Sequence, residues 1–149
     1  PSYNMFNRWI EEDNLLDTLE DLGIGSIAFT PLAQGMLTKK YLSGVPNDSR
    51  AMQDKSLDRN KIKPELVEAL NSLNGIASSR GQSLAQMALA WVLRGSRVTT
   101  ALIGASKPEQ VVDCVGVIEN LNFTEDELLK IDRLSGDLGI NLWAASSEI

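Results

Sequence analysis

The chain contains no histidine and only one cysteine, Cys114, in 149 residues. Without imidazole there is no Ser-His-Asp or Cys-His relay, and no zinc site built on histidine. A single thiol excludes an internal disulfide and most cysteine-based metal sites, so no metal is expected. It also fits a reducing, cytoplasmic compartment. No apolar run approaches the roughly 18–20 residues that a membrane span needs. Positive charge is scarce as well: 14 Lys and Arg stand against 20 Asp and Glu, a net charge of −6. This argues against nucleic acid or an anionic membrane as a partner, since both require a clustered basic face. Neither Gly-x-Gly-x-x-Gly nor Gly-x-x-x-x-Gly-Lys-Ser/Thr occurs, so the two best-known phosphate loops are missing. The chain opens on Pro1-Ser2-Tyr3 without an initiator Met or a signal-peptide pattern, which fits a processed, truncated or partial product.

What is present is an ordinary globular composition, 43% hydrophobic and 23% charged, at a length that suits one domain over residues 1–149. Leu15, Leu16, Leu19 and Leu22 fall at helical spacing, and with acidic residues in the first turn and Gly23 beyond they predict a helix over 11–22. The apolar run Ile24–Phe29, cut by Thr30-Pro31, predicts a strand buried on both faces. From Pro31 to Lys63 there is no sustained periodicity, and a loop this long inside a compact domain is usually functional or mobile. Pro64 then starts a helical stripe that reaches Arg80-Gly81. Ser83 and Gln86 form a capping box for a helix through Trp91 to Arg94-Gly95. Val98–Ile103 is β-branched and apolar, a second strand. Ser106 and Glu109 have capping-box spacing for a helix through Ile118, and Thr124 and Glu127 repeat it for a last helix, with Phe123 and Leu128 spaced as a hydrophobic staple.

Strands alternating with helices mean βα units and a parallel sheet. Two strands separated by nearly seventy residues leave unpaired edges, and an isolated parallel pair makes a poor core. An eight-stranded barrel of this style takes about 250 residues. The expected fold class is therefore α/β, the C-terminal portion of a (β/α)8 TIM barrel: about the last two βα units plus a C-terminal helix and tail.

In such architectures ligands sit beyond the carboxyl ends of the strands, where loops and helix N-termini converge. At the second junction Gly104 permits close backbone approach, Ser106 opens a helix whose free N–H groups attract an anion, and Lys107 adds positive charge. Ser106 with Glu109 reads equally as a bare helix cap. Gln110 and Asp113 follow in helical register, either as hydrogen-bonding groups for a nucleobase or ribose or as solvated surface. At the first junction Thr30, Gln34 and Gly35, followed by Lys40 and Arg50, offer a hydroxyl, an amide, a glycine and two cations that could wrap a diphosphate. The alternative is an irregular loop with solvated cations. Met5, Met36, Met52 and Met87, Trp91 and Cys114 read as core filling, and Glu11-Glu12-Asp13 and Glu125-Asp126-Glu127 as first-turn charges.

Phe29-Thr30-Pro31-Leu32-Ala33-Gln34-Gly35-Met36-Leu37-Thr38-Lys39-Lys40-Tyr41 and Ile103-Gly104-Ala105-Ser106-Lys107-Pro108-Glu109-Gln110 closely resemble the two cofactor signatures of the aldo-keto reductases. The branch they resemble is that of bacterial glyceraldehyde-3-phosphate reductases, which is similar to the voltage-gated potassium channel β-subunits. Pro1–Arg8 and the tail Asn141–Ser147 fit it too, and the likeness spans this chain but only about the C-terminal 40–45% of a family member. The resemblance implies a TIM barrel that binds NADP(H) across the strand ends and reduces aldehydes or ketones, in an assembly larger than a monomer. By position it implies Phe29 as the ring stacked on nicotinamide, and Thr30, Leu32, Gln34 and Gly35 as the loop around the pyrophosphate. Lys40 and Arg50 would close over the cofactor, Gly104 would let it approach the backbone, Ser106 would contact the 2′-phosphate, and Gln110 and Asp113 would line the adenine end. Cys114 stands where the family has Asn, and a thiol cannot replace both donor and acceptor of a carboxamide. The family's catalytic Tyr, Lys, Asp and His all belong to the N-terminal part, so no catalytic residue is assigned here. Tyr3 and Tyr41 are not the acid. The alternatives to a reductase are a nucleotide-sensing regulatory subunit and, of lesser weight, a small self-sufficient nucleotide-binding module.

Overall fold

A computed structural model describes residues 1–44 and 62–136. Its elements run α1 (Trp9–Glu12), α2 (Leu15–Asp21), β1 (Ile27–Ala28), α3 (Pro64–Ser79), α4 (Leu84–Leu93), β2 (Thr100–Ala101), α5 (Pro108–Val115) and α6 (Glu125–Leu134). This is the expected order with one change. The helix expected over 11–22 is two pieces, broken at Asn14, which sits in the left-handed region at φ 53°. Asn tolerates that region better than most residues, and its backbone turn lets Leu16 reach the core while Leu22 stays exposed.

β1 and β2 pair in parallel with Ile27 opposite Thr100 and Ala28 opposite Ala101. A third extended segment flanks β1 on its other side: Ser2 bridges Phe29 in parallel, through Tyr3 N–H to Phe29 C=O (3.2 Å) and Phe29 N–H to Pro1 C=O (2.9 Å). The three lie in the order Ser2 segment, β1, β2. The expectation that β1 is buried on both faces is not met. Ala28 is fully buried under the helices, whereas Ile27 is 60% exposed on the opposite face. Among the described residues nothing covers that second face, so alternation reappears along the strand.

The core lies on the helix side. α4 is buried at eight of its ten positions, as a helix that is apolar all round must be. Its N-terminus carries the predicted capping box: Ser83 Oγ accepts from Gln86 N–H (3.1 Å) and Gln86 Oε1 accepts from Ser83 N–H (3.0 Å). Leu66, Leu70, Leu73 and Ala77 form the buried stripe of α3, with Pro64 in its first turn. A second cluster joins Leu89 and Ala90 of α4 to Cys114 and Val117, which places Cys114 as a packed small residue. Thr124 and Glu127 cap α6 as expected, with Phe123 and Leu128 both against the core. Arg80, just beyond α3, fastens the approach to α6: it lies over the Phe123 ring, pairs with Glu127 at 2.8 Å and donates to the carbonyl of Asn122.

Candidate functional site

Because β1 and β2 are parallel and in register, the loops leaving them emerge from one edge of the sheet. The first begins at Phe29, half-buried, and turns abruptly. Thr30 (φ 55°), Ala33 (φ 47°), Gln34 (φ 58°) and Gly35 (φ 92°) all occupy the left-handed region. For the three residues that carry a Cβ this costs on the order of 1–3 kcal/mol each, so neighbours must hold them there. Thr30 is held best. Its hydroxyl meets Ser2 Oγ at 2.7 Å and its carbonyl accepts from Asn4 Nδ2 at 3.0 Å, while Asn7 Nδ2 donates to Ser2 Oγ. Farther along, Thr38 Oγ donates to the Gly35 carbonyl at 2.7 Å. Leu32 packs against the core, and Gln34 Oε1 is buried without a hydrogen-bond partner. Lys40 stands exposed in a short 3-10 turn over Lys39–Tyr41.

The second loop carries Gly104 and Ser106 into α5. A Cβ built on Gly104 or Gly35 meets nothing within 4 Å, so both backbones face open space. The helix start is one residue later than Ser106 with Glu109 implied. Lys107 is the N-cap, and the acceptor is Gln110: its Oε1 takes hydrogen bonds from Ser106 N–H (2.8 Å), Lys107 N–H (3.1 Å) and Ser106 Oγ (3.2 Å). Two backbone donors and a hydroxyl converge on one oxygen. Asp113, exposed on α5, accepts from Ser83 Oγ at 3.0 Å with its carboxylate and from Gln86 Nε2 at 2.8 Å with its carbonyl. Burial, and next the Asp113 charge, push the Cys114 thiol above its ordinary value, which suits a packing residue.

The loops thus gather Phe29, Thr30, Leu32, Gln34 and Gly35 at one strand end and Gly104, Ser106, Lys107 and Gln110 at its neighbour. Arg50 and the tail around Trp143 lie outside the described residues. Sequence reasoning gave Ser2, Asn4 and Asn7 no role, although they brace Thr30. The only available signal was their polar alternation with Tyr3 and Met5. Tyr3, which the sequence reading did not take as the acid, is buried in the core. Its hydroxyl donates to Glu11 and accepts from Arg94, and burial pushes the phenol well above its ordinary range. Among the described residues no group of three or more His, Cys, Asp or Glu could hold a metal ion, and no helix is long and apolar enough to cross a membrane.

A family model for the aldo/keto reductases matches residues 1–135. The chain belongs to that family. It is 51% identical over 152 aligned positions to L-glyceraldehyde 3-phosphate reductase of Escherichia coli O157:H7, covering 99% of this chain and 44% of that protein. It is 36% identical over 139 positions to a Schizosaccharomyces pombe protein described as a voltage-gated potassium channel subunit beta, covering 90% of this chain and 40% of that one. Among solved structures it is similar to the glycerol dehydrogenase AKR11B4 of Gluconobacter oxydans, with a TM-score of 0.71 and 30% identity, over 90% of this chain and 40% of that chain. The sheet and helices described above are therefore the C-terminal portion of an aldo-keto reductase TIM barrel, and the chain spans less than half the length of these relatives.

Proposed function

We infer that this aldo-keto reductase chain holds NADP(H) for the reduction of a small aldehyde or ketone to the alcohol, the acid–base residues belonging to the rest of a complete barrel. The observation that supports this most directly is the parallel register of β1 and β2, which sends both signature loops from one sheet edge. The residues present fit a dinucleotide polyphosphate. The Ser106 and Lys107 N–H groups already converge on an acceptor oxygen, that of Gln110, and a phosphate oxygen has the same requirement. Gly35 and Gly104 leave the backbone approachable.

In this reading Phe29 shelves the nicotinamide ring and Thr30, Leu32, Gln34 and Gly35 shape the pyrophosphate loop. Lys40 and Arg50 close over the cofactor, Ser106 with Gly104 takes the 2′-phosphate, and Gln110 and Asp113 border the adenine. Cys114, buried against α4, contributes nothing there. The bound cofactor supplies the hydride, and these residues orient it and screen its charge. The complete protein would work as a cytoplasmic homo-oligomer, and this chain by itself would not turn over a carbonyl.

Changing Ser106 to Ala and Lys40 to Met in a complete protein should weaken NADPH more than NADH, measured by fluorescence titration. Equal losses for the two would remove the 2′-phosphate assignment. A second reading, a nucleotide-sensing regulatory subunit, rests on the 36% identity to the channel-subunit protein. Following NADPH absorbance with an aldehyde separates the two: cofactor binding without turnover by the complete protein favours the sensor.

A further inference from the structure

Three side chains link into a run of hydrogen bonds that ends where the first signature loop begins. Asn7 Nδ2 donates to Ser2 Oγ at 3.0 Å, and Ser2 Oγ lies 2.7 Å from Thr30 Oγ1. Asn7 and Ser2 are 4% and 5% exposed, so neither is turned to solvent. Taken alone, either hydroxyl of the Ser2–Thr30 pair could supply the shared proton. Burial decides between them. With an N–H already directed at its oxygen, Ser2 has one hydrogen to place, and among the described residues its only acceptor is Thr30 Oγ1. A buried hydroxyl hydrogen left unpaired is costly, so Ser2 donates to Thr30. A hydroxyl has one hydrogen and two lone pairs. Thr30 accepts with a lone pair and keeps its own hydrogen for another acceptor, on a residue that is only half-buried just past β1.

We propose that Asn7 and Ser2 are positioning residues that set the direction of this run, so that Thr30 presents a hydrogen, and not a lone pair, to a phosphate oxygen of the bound dinucleotide. The inference rests on the NADP(H) reading above and deepens it. An ionised phosphate oxygen only accepts, and a hydroxyl donating to it makes a bond roughly twice as strong as a neutral pair. The same hydroxyl turned the other way would set lone pair against lone pair. Asn7 acts only through the two hydroxyls, since its amide bonds Ser2 and not Thr30. Asn4 has a different part: its Nδ2 donates to the Thr30 carbonyl, which fixes the backbone and leaves the hydroxyl alone.

The test is a double-mutant cycle in the complete protein, with NADPH affinity read by fluorescence titration. Asn7→Asp keeps the side-chain shape but sets an acceptor against Ser2. Ser2 then turns its hydrogen to the carboxylate, and Thr30 turns its own to Ser2. The Ser2–Thr30 bond survives, so a role limited to holding the loop predicts the same loss whether or not residue 30 bears a hydroxyl. The expected result is a fall of about tenfold or more with Thr30 present, the size of a lost bond to a charged group. In the Thr30→Val background, which has no hydroxyl to turn, the same change should cost clearly less, the remainder being the effect of charge alone. Ser2→Ala, uncharged and smaller, runs the same cycle should Asn7→Asp fail to fold, and its loss should vanish in the Thr30→Val background. Equal losses in the two backgrounds, with NADPH still bound, would overturn this inference and leave the cofactor reading standing. An unaltered complete protein that binds no NADPH would overturn both.

Discussion

The guanidinium carbon of Arg80 lies 3.8 Å from the centre of the Phe123 ring, with Glu127 paired to the same guanidinium. The Arg80 side chain is only 3% exposed, and it also donates to Gln82 Oε1 and to the carbonyls of Asn120 and Asn122. Removing Arg80 leaves the Asn120 and Asn122 carbonyls and a Glu127 side chain that is 25% exposed short of a donor, which costs about 1–3 kcal/mol. Arg80→Ala should therefore lower unfolding free energy by about that much in urea titrations. Arg80→Lys should recover only part of it, since an ammonium cannot fork between carboxylate and carbonyls.

Glu11 sets the acid limit of stability. Burial alone would raise its carboxyl, but the Tyr3 hydroxyl, Arg94 and Arg8 together hold it below the ordinary value of 4.5. A lowered folded-state value adds stability that is fully present above the unfolded value and is lost as pH falls through the folded one. Glu11→Gln should accordingly melt lower than the parent at neutral pH, and the gap should close as pH drops below 4.5. A gap independent of pH would mean the charge plays no part.

At α5 two effects of one substitution have opposite signs. Gln110→Glu places a carboxylate at a helix N-terminus, worth about 0.3–1 kcal/mol of stability. The same charge stands where the proposed phosphate oxygen would sit. Melting temperature should hold or rise slightly while NADPH affinity of a complete protein falls about tenfold, roughly 1.4 kcal/mol. A fall in stability would show that the Gln110 contacts to Ser106 and Lys107 depend on the neutral amide.

Gly116→Ala tests packing. At the Gly116 backbone angle (φ −57°) alanine is allowed, and such a change ordinarily stabilises by about 0.4–1 kcal/mol through the unfolded chain. Here the new Cβ would stand 2.5 Å from Gln86 Nε2. That amide cannot swing freely, because its nitrogen bonds Asp113 C=O and its oxygen caps α4. The expected result is a loss of about 1 kcal/mol, the size of a cap, in thermal melts.

Element order was legible in the sequence because helix periodicity, capping pairs and β-branched runs are local signals. Ser83 with Gln86 and Thr124 with Glu127 cap as their spacing implies. The cap at 106–109 was misplaced by one, since Gln110 reaches back to two N–H groups and that reach depends on where the helix starts. The break at Asn14 was hidden beneath a continuous leucine stripe. Both strands came out shorter than read, two residues each, because pairing rather than apolarity defines a strand. The candidate site residues were read from their loop signatures. Their braces were not, since Ser2 and Asn4 meet Thr30 only through a fold that joins positions 26 and 28 apart.

Thr30 keeps its unfavourable backbone angle because two side chains on the neighbouring extended segment grip it. The shape of the first signature loop is thus inherited from residues upstream of β1, none of which belongs to the loop. Blunting Ser2 and Asn4 to alanine would let the turn relax toward ordinary backbone angles while α3 and α4 kept their packing. Such a chain would look properly folded by every bulk measure and still present the wrong contour to whatever it is meant to hold.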